Sequence, residues 1–305
     1  MISLGPRVFN APVGSIWAFA STNRHWNGRV KYARSQEGNH VSEHSTKNAG
    51  RDALAAVRAG NGPAFPKRFY KAVTVGEVEG GFAVLLDGRS MMTPGRRRIT
   101  LPTRALAGLC AAEWEAQGEF INPQTMPVTR LVNSAVEGVA GEMLAVADEI
   151  SRYAGSDLVC YRAAAPTELA AEQAQAWSPL LDWANAELGA RFILSEGVMF
   201  VAQPKPALAV VKDCIARVTG SGSAAPFRLA ALSVITSLTG SALLALQHAS
   251  GAASAAQAWA AAHVDEEFQA RLWGVDEDAQ ARRTARWREM EAAAQVLETC
   301  PVIAS

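Results

Sequence analysis

Apolar and polar positions alternate in two different ways along this chain, and the change falls near residue 126. Between Tyr70 and Leu101 the apolar residues come in short β-rich runs. "YKAVTV" and "FAVLL" are separated by "EGG", and "DGR" and "TPGR" punctuate the chain before a third run, "RRITL". Branched and aromatic runs bounded by Gly-containing turns predict a small sheet. Pro102 and Thr103 then open a helix, with Thr103 placed to cap its first turn. Leu106, Cys110, Glu113/Trp114 and Gln117 recur at helical spacing there, so Trp114 is expected to help seat the helix on the sheet. From Val128 to Leu297 the spacing is helical throughout, over 128–153, 166–188, 206–218, 226–248, 252–273 and 276–298. Breaks fall at Gly155, Gly189, Pro204/Pro206, the "TGSGSAAP" loop and Gly274. Strands followed by helices predict an α+β fold. The expected layout is a small N-terminal α/β domain over 63–126, with a β-sheet and a packed helix, and a larger all-helical C-terminal domain over 127–305. No internal repeat of fixed period occurs.

One segment within this pattern stands out. "HVDEEFQARLWGVDEDA", residues 263–279, carries six acidic residues and a tryptophan in an Ala-rich surrounding. Projected as one helix over 252–273, Ala261, Val264, Phe268 and Leu272 form an apolar stripe, the expected core face. Trp259, His263, Glu266, Ala270 and Trp273 fall on roughly the opposite side. Two bland accounts fit: Glu267 and Arg271 as an i, i+4 surface pair, and the tryptophans as a seal against another helix. The functional account is a partner-binding face, because Trp beside charge is typical of interface anchors.

Composition narrows the field. With 305 residues, 49% hydrophobic and 19% charged, the chain is long enough for about two domains and a sizeable core. Lys plus Arg and Asp plus Glu balance at 29 each, so no global field favours nucleic acid or an anionic membrane. Cys110, Cys160, Cys214 and Cys300 are far apart and form no C-x-x-C pair, which argues against a disulfide framework or a zinc site and suits a reducing compartment. Met1 to Gln36 contains no acidic residue but holds Arg7, Arg24, Arg29, Lys31 and Arg34. Residues 1–62 therefore read either as an organelle transit segment or as an unstructured extension. Leu229–Leu246 is an uncharged stretch at the lower edge of membrane-spanning length. Its Ser and Thr content favours a buried central helix broken near Gly240, in which Ser233, Ser237 and Ser241 form a small-residue ridge. No membrane insertion is expected.

Chemistry is sparse. There is no phosphate-loop, zincin or nucleophile-elbow motif, and only His248 and His263 lie in the expected folded body. No cofactor and no metal are expected. "GRRR" (95–98) and "RRTARWRE" (282–289) read as a basic turn and a solvated helix face rather than nucleic-acid patches. An enzyme using Glu266, Asp265 or His263 as acid–base groups in a cleft between two domains stands as the alternative to a binding protein.

The motifs taken in order resemble a known family. "LDGR", "AEW…Q…I.P..MP.TRL", "Y..SDL.CYR", "W.PLL.W" and "DEE.Q….WG.D" are similar to those of the assembly chaperones of the F-type ATP synthase, in the branch that protects the α subunit of the catalytic sector. The resemblance runs from about Lys67 to the last helix and excludes 1–62. It implies a non-enzymatic, cofactor-free chaperone, expected as a monomer, that binds the unassembled α subunit and covers its β-facing surface until α and β pair. It implies the same two-part fold, in a bacterial cytoplasm or a mitochondrial matrix. It also marks Trp114 and the acidic pair Glu266 and Glu267 as sensitive positions, without choosing between the two glutamates. The expected partner-binding set is Glu266, Glu267, Trp259, Trp273 and His263.

Overall fold

The computed structural model describes residues 65–197 and 199–302. The leader expected over 1–62 lies outside these residues. β1 (Val73–Val78), β2 (Gly81–Leu86) and β3 (Arg89–Ser90) form an antiparallel meander in the order β1-β2-β3. The β2–β3 turn is Asp87-Gly88, both with positive φ (48° and 78°), the geometry that matches strand twist in a two-residue hairpin. The Asp87 carboxylate accepts from the Lys71 and Ala72 amides, tying the turn to the approach of β1. "RRITL", expected as the third strand, instead makes isolated bridges, Met92 with Arg98 and Phe82 with Leu101. Gly81 explains the second: a Cβ there would lie 2.3 Å from the Leu101 carbonyl oxygen, so only glycine admits that close approach.

α1 (Arg104–Glu115) lies on this sheet through Leu106, Ala107 and Cys110, with Thr103 capping it as expected (Leu106 N–H to Thr103 Oγ1, 3.1 Å). Trp114 sits half-buried near the end of α1, its ring edge-on to Tyr70 at 5.5 Å, and the Tyr70 hydroxyl donates to the Trp114 carbonyl.

The helical part begins with α2 (Pro127–Glu137), followed by α3 (Met143–Ala154), so the single helix expected over 128–153 is interrupted around Gly138 and Gly141. β4 (Tyr161–Arg162) pairs in parallel with β5 (Ser195–Glu196), a short ladder with no counterpart in the sequence-based reading. Between them runs α4 (Thr167–Trp183), closing in a π-helical turn, Ala184–Leu188. α5 (Lys205–Thr219), α6 (Ala225–Thr239) and α7 (Ala242–Ala249) follow, then α8 (Ala255–Ala262), α9 (Val264–Trp273) and α10 (Glu277–Thr299). α6 is the hub, packing against α2, α3, α7 and α10.

The apolar stretch 229–246 bends at Gly240 (φ +68°) into α6 and α7, and no helix of the described residues is long and apolar enough to cross a membrane. The serine ridge does not form. Ser237 is exposed, while Ser241 caps α7 by accepting the Leu244 amide.

Three charged groups, the half-buried Glu113 and the buried Arg228 and Asp157, join these elements. Glu113 reaches from α1 and accepts the Val128 and Thr129 amides, both at 2.7 Å, capping α2; burial pushes its carboxyl above the usual range, against the pull of those amides. Arg228 donates to the Val218, Leu297 and Cys300 carbonyls, gathering the ends of α5 and α10. Asp157, fully buried, accepts the Val159 and Leu243 amides at the start of α7. The Thr103 hydroxyl also donates to the Thr299 carbonyl, joining α1 to α10. With these ties the sheet, α1 and the helices cluster as one compact unit, Phe69–Gln117 with Pro123–Ser305, where the sequence divides 63–126 from 127–305. In the other unit, the Arg68 amide donates to the Glu119 carbonyl and the Ile121 amide to that of Pro66.

Two outcomes are expected from these contacts. Burial raises the Asp157 carboxyl from 3.8 to about 6, so the folded state holds its proton more tightly than the unfolded chain. The resulting stabilisation is complete below pH 4 and lost as pH rises through 6, a change on the order of 1–3 kcal/mol. Urea midpoints from pH 4 to 7 should show this loss in the parent, and Asp157→Asn should flatten it; equal slopes in both would contradict the assignment. Trp114→Arg should cost roughly 2–4 kcal/mol of unfolding free energy, because it sets a charge beside Tyr70 in place of the ring. A variant that melted like the parent would move Trp114 from the fold to a docking surface.

Candidate functional site

The acidic segment is two helices, and the break between them decides which side chains are accessible. Ser254 starts α8 with a reciprocal capping box to Gln257. At the other end the His263 ring nitrogen Nδ1 bonds the Trp259 carbonyl at 2.7 Å, occupying the acceptor that the next helical amide would use. The His263 amide turns instead to the Ala260 carbonyl, and α9 starts afresh with Glu267 donating to the His263 carbonyl. The continuous helix over 252–273 is therefore corrected to two.

The break carries two of the expected partner-binding residues inward. Trp259 is 8% exposed and His263 2%, their rings stacked at 3.9 Å, with Trp287 of α10 edge-on to Trp259 at 5.4 Å. These two residues seal α8 to α10 and do not line an open face. Burial lowers the His263 pKa, which keeps the imidazole neutral near pH 7, while the Trp259 carbonyl and Glu266 oppose that shift.

The carboxylates separate by role. Asp265 accepts from the buried Gln173 amide of α4 at 2.7 Å, and the other end of that amide accepts from the Ala163 N–H just after β4. Trp177 of α4 donates its indole N–H to the Ala261 carbonyl and lies under the Arg162 guanidinium, 5.1 Å from its ring. Glu267 pairs with Arg283 of α10, and Arg271 with Glu172 of α4. The i, i+4 pair expected between Glu267 and Arg271 does not form, because each charge is drawn to a neighbouring helix. Glu266 is the most open of the three, its side chain 59% exposed and 3.6 Å from His263 Nε2.

Beyond Phe268 the apolar side chains of α9 face solvent. Leu272, assigned to the core stripe from its spacing, is 60% exposed; Trp273 is 84% and Val275 64% exposed. The buried part of the apolar stripe therefore ends at Phe268. Gly274 (φ +85°) turns the chain into α10, whose first turn adds Asp276, Glu277 and Asp278. The site is an apolar tip with an acidic border. Of the expected set it brings together Glu266 and Trp273, with Glu267 at its base. Of the three acid–base groups weighed for an enzyme, His263 lies against Trp259 and Asp265 bonds Gln173, while Glu266 faces solvent. Among the described residues no cluster suited to a metal ion occurs.

Asp157 and Arg228 carry no sequence-based assignment, and Glu113 enters only through the helical spacing of α1, although Glu113 and Asp157 lie within the motifs "AEW" and "SDL". Spacing marks apolar faces and gives no signal for a carboxylate that reaches across to cap another helix.

Comparisons with known proteins agree with this architecture. Residues 67–185 match the family model described as ATP12 chaperone protein. The chain is similar to the Atu1473 protein of Agrobacterium tumefaciens, described as a candidate chaperone, with 45% identity and a TM-score of 0.74 over 84% of this chain and 99% of that one. It is also similar to Atp12 from Paracoccus denitrificans, at 41% identity and a TM-score of 0.71, covering 77% of this chain and 99% of that one. An Asp-to-Lys mutant of the P. denitrificans protein matches at 40% identity and a TM-score of 0.71, covering 77% and 98%. With its α+β fold, its ordered motifs and these relatives, the chain belongs to the ATP12 family of ATP synthase assembly chaperones.

Proposed function

We propose that the protein captures the unassembled α subunit of the F-type ATP synthase and shields its β-facing surface until α and β pair. The observation that carries this reading is the projecting tip of Leu272, Trp273 and Val275 bordered by Glu266, Asp276, Glu277 and Asp278. An orphan subunit exposes apolar surface that otherwise aggregates or pairs wrongly. A transient guard needs apolar anchors for affinity, and charge for register and for discrimination between exposed patches. The tip supplies both on side chains exposed to solvent, which suits a protein surface. Release follows if the β subunit competes for the same face, and no cofactor enters the cycle.

The two glutamates divide the test. Glu266 is open to solvent, so Glu266→Lys should weaken capture of isolated α subunit at least tenfold, a hot-spot-sized loss, while the melting transition stays put. Glu267→Lys places two cations together beside Arg283 and should lower the melting temperature as well as capture. A pull-down of α subunit with β subunit as competitor checks the reading directly. Undiminished capture by both variants, or retention of α in the presence of excess β, would remove it.

A further inference from the structure

A second apolar cluster flanks β5. Met199 is 74% exposed and Phe200 72%, with Ile193 (46%) and Leu194 (49%) just before β5. Their presentation is built. The buried Gln203 side chain holds both polar groups of Ile193, accepting its N–H at 2.8 Å and donating to its carbonyl at 2.9 Å. The Ser195 hydroxyl donates to the Met199 carbonyl, and the Gly197 N–H donates to that of Arg162 on β4. Holding apolar side chains open on a fixed backbone lowers the ordering cost of binding.

We propose that Met199 and Phe200, with Leu194 beside them, are a second docking element for the same α subunit, linked to the tip of α9 through α4 and β4. This inference rests on the function proposed above. Two observations select the occupant. First, one short stretch of α4 is tied to both elements: Glu172 holds Arg271 two residues from Trp273, and Gln173 bridges Asp265 of α9 to Ala163, which follows β4, the strand paired with β5. Second, size argues against a second copy of this chain. A buried aromatic covers about 150–250 Å², so this cluster supplies well under the ~800 Å² per partner of a stable interface. As an addition to the tip, however, it extends one interface toward that size.

The test compares the full chain with Trp273→Ser, Phe200→Ser and the pair Met199→Ser/Phe200→Ser, titrated against isolated α subunit, with thermal melts of each and sedimentation of the free chain across concentration. All four should melt together, and each substitution should weaken binding by about tenfold or more. If the parent itself does not bind α subunit, the proposed function fails and this inference with it. If Trp273→Ser weakens binding but the Met199/Phe200 variants match the parent, the second element alone is overturned. A concentration-dependent dimer of the free chain that Phe200→Ser dissociates would make the occupant a second copy and equally overturn it.

Discussion

The Gln173 side chain is nearly sealed from solvent and spends both ends of its amide, one on Asp265 of α9 and the other on the backbone after β4. A buried amide left half-bonded costs on the order of 1–3 kcal/mol, so the two attachments stand or fall together. Around this joint, Trp177 holds the end of α8 and Glu172 holds Arg271. α9 is thereby fixed at its base by polar contacts. At its last turn Leu272 and Trp273 are left exposed.

Elsewhere the fold is locked by charged groups that cap helices they do not belong to. Glu113 caps α2 from α1, Asp157 caps α7 from the loop after α3, and Arg228 collects carbonyls at the ends of α5 and α10. Asp157 and Arg228 are shielded from water and Glu113 partly so, and each answers backbone groups that would otherwise lack partners. The motifs that mark the family are in part these caps: the glutamate of "AEW" and the aspartate of "SDL" serve the fold. The acidic "DEE" run is mixed, with one carboxylate in the joint, one facing solvent and one bridging to Arg283.

Much of the fold was legible in the spacing of residues. The hairpin, the helix opened by Thr103 and the order of the later helices follow from local pattern and capping, and Gly240 and Gly274 break the chain where backbone freedom is needed. The parts that were not legible depend on long-range or side-chain events. β4 and β5 pair two residues each across more than thirty positions of sequence, too short a run to leave a period. The expected open face containing Trp259 and His263 failed because one imidazole took a carbonyl from its own helix and reset the phase. Leu272 has the spacing of a core residue, yet it faces solvent, since spacing does not tell where along a helix its packing partners stop.

The bond from the Thr103 hydroxyl to the Thr299 carbonyl closes a loop of almost two hundred residues. Such closure is entropically slow and comes after local structure has formed. During synthesis, therefore, α1 lacks its contact with α10 until the ribosome has delivered the last helix, so this assembly chaperone itself passes through a stage in which it is incompletely clothed.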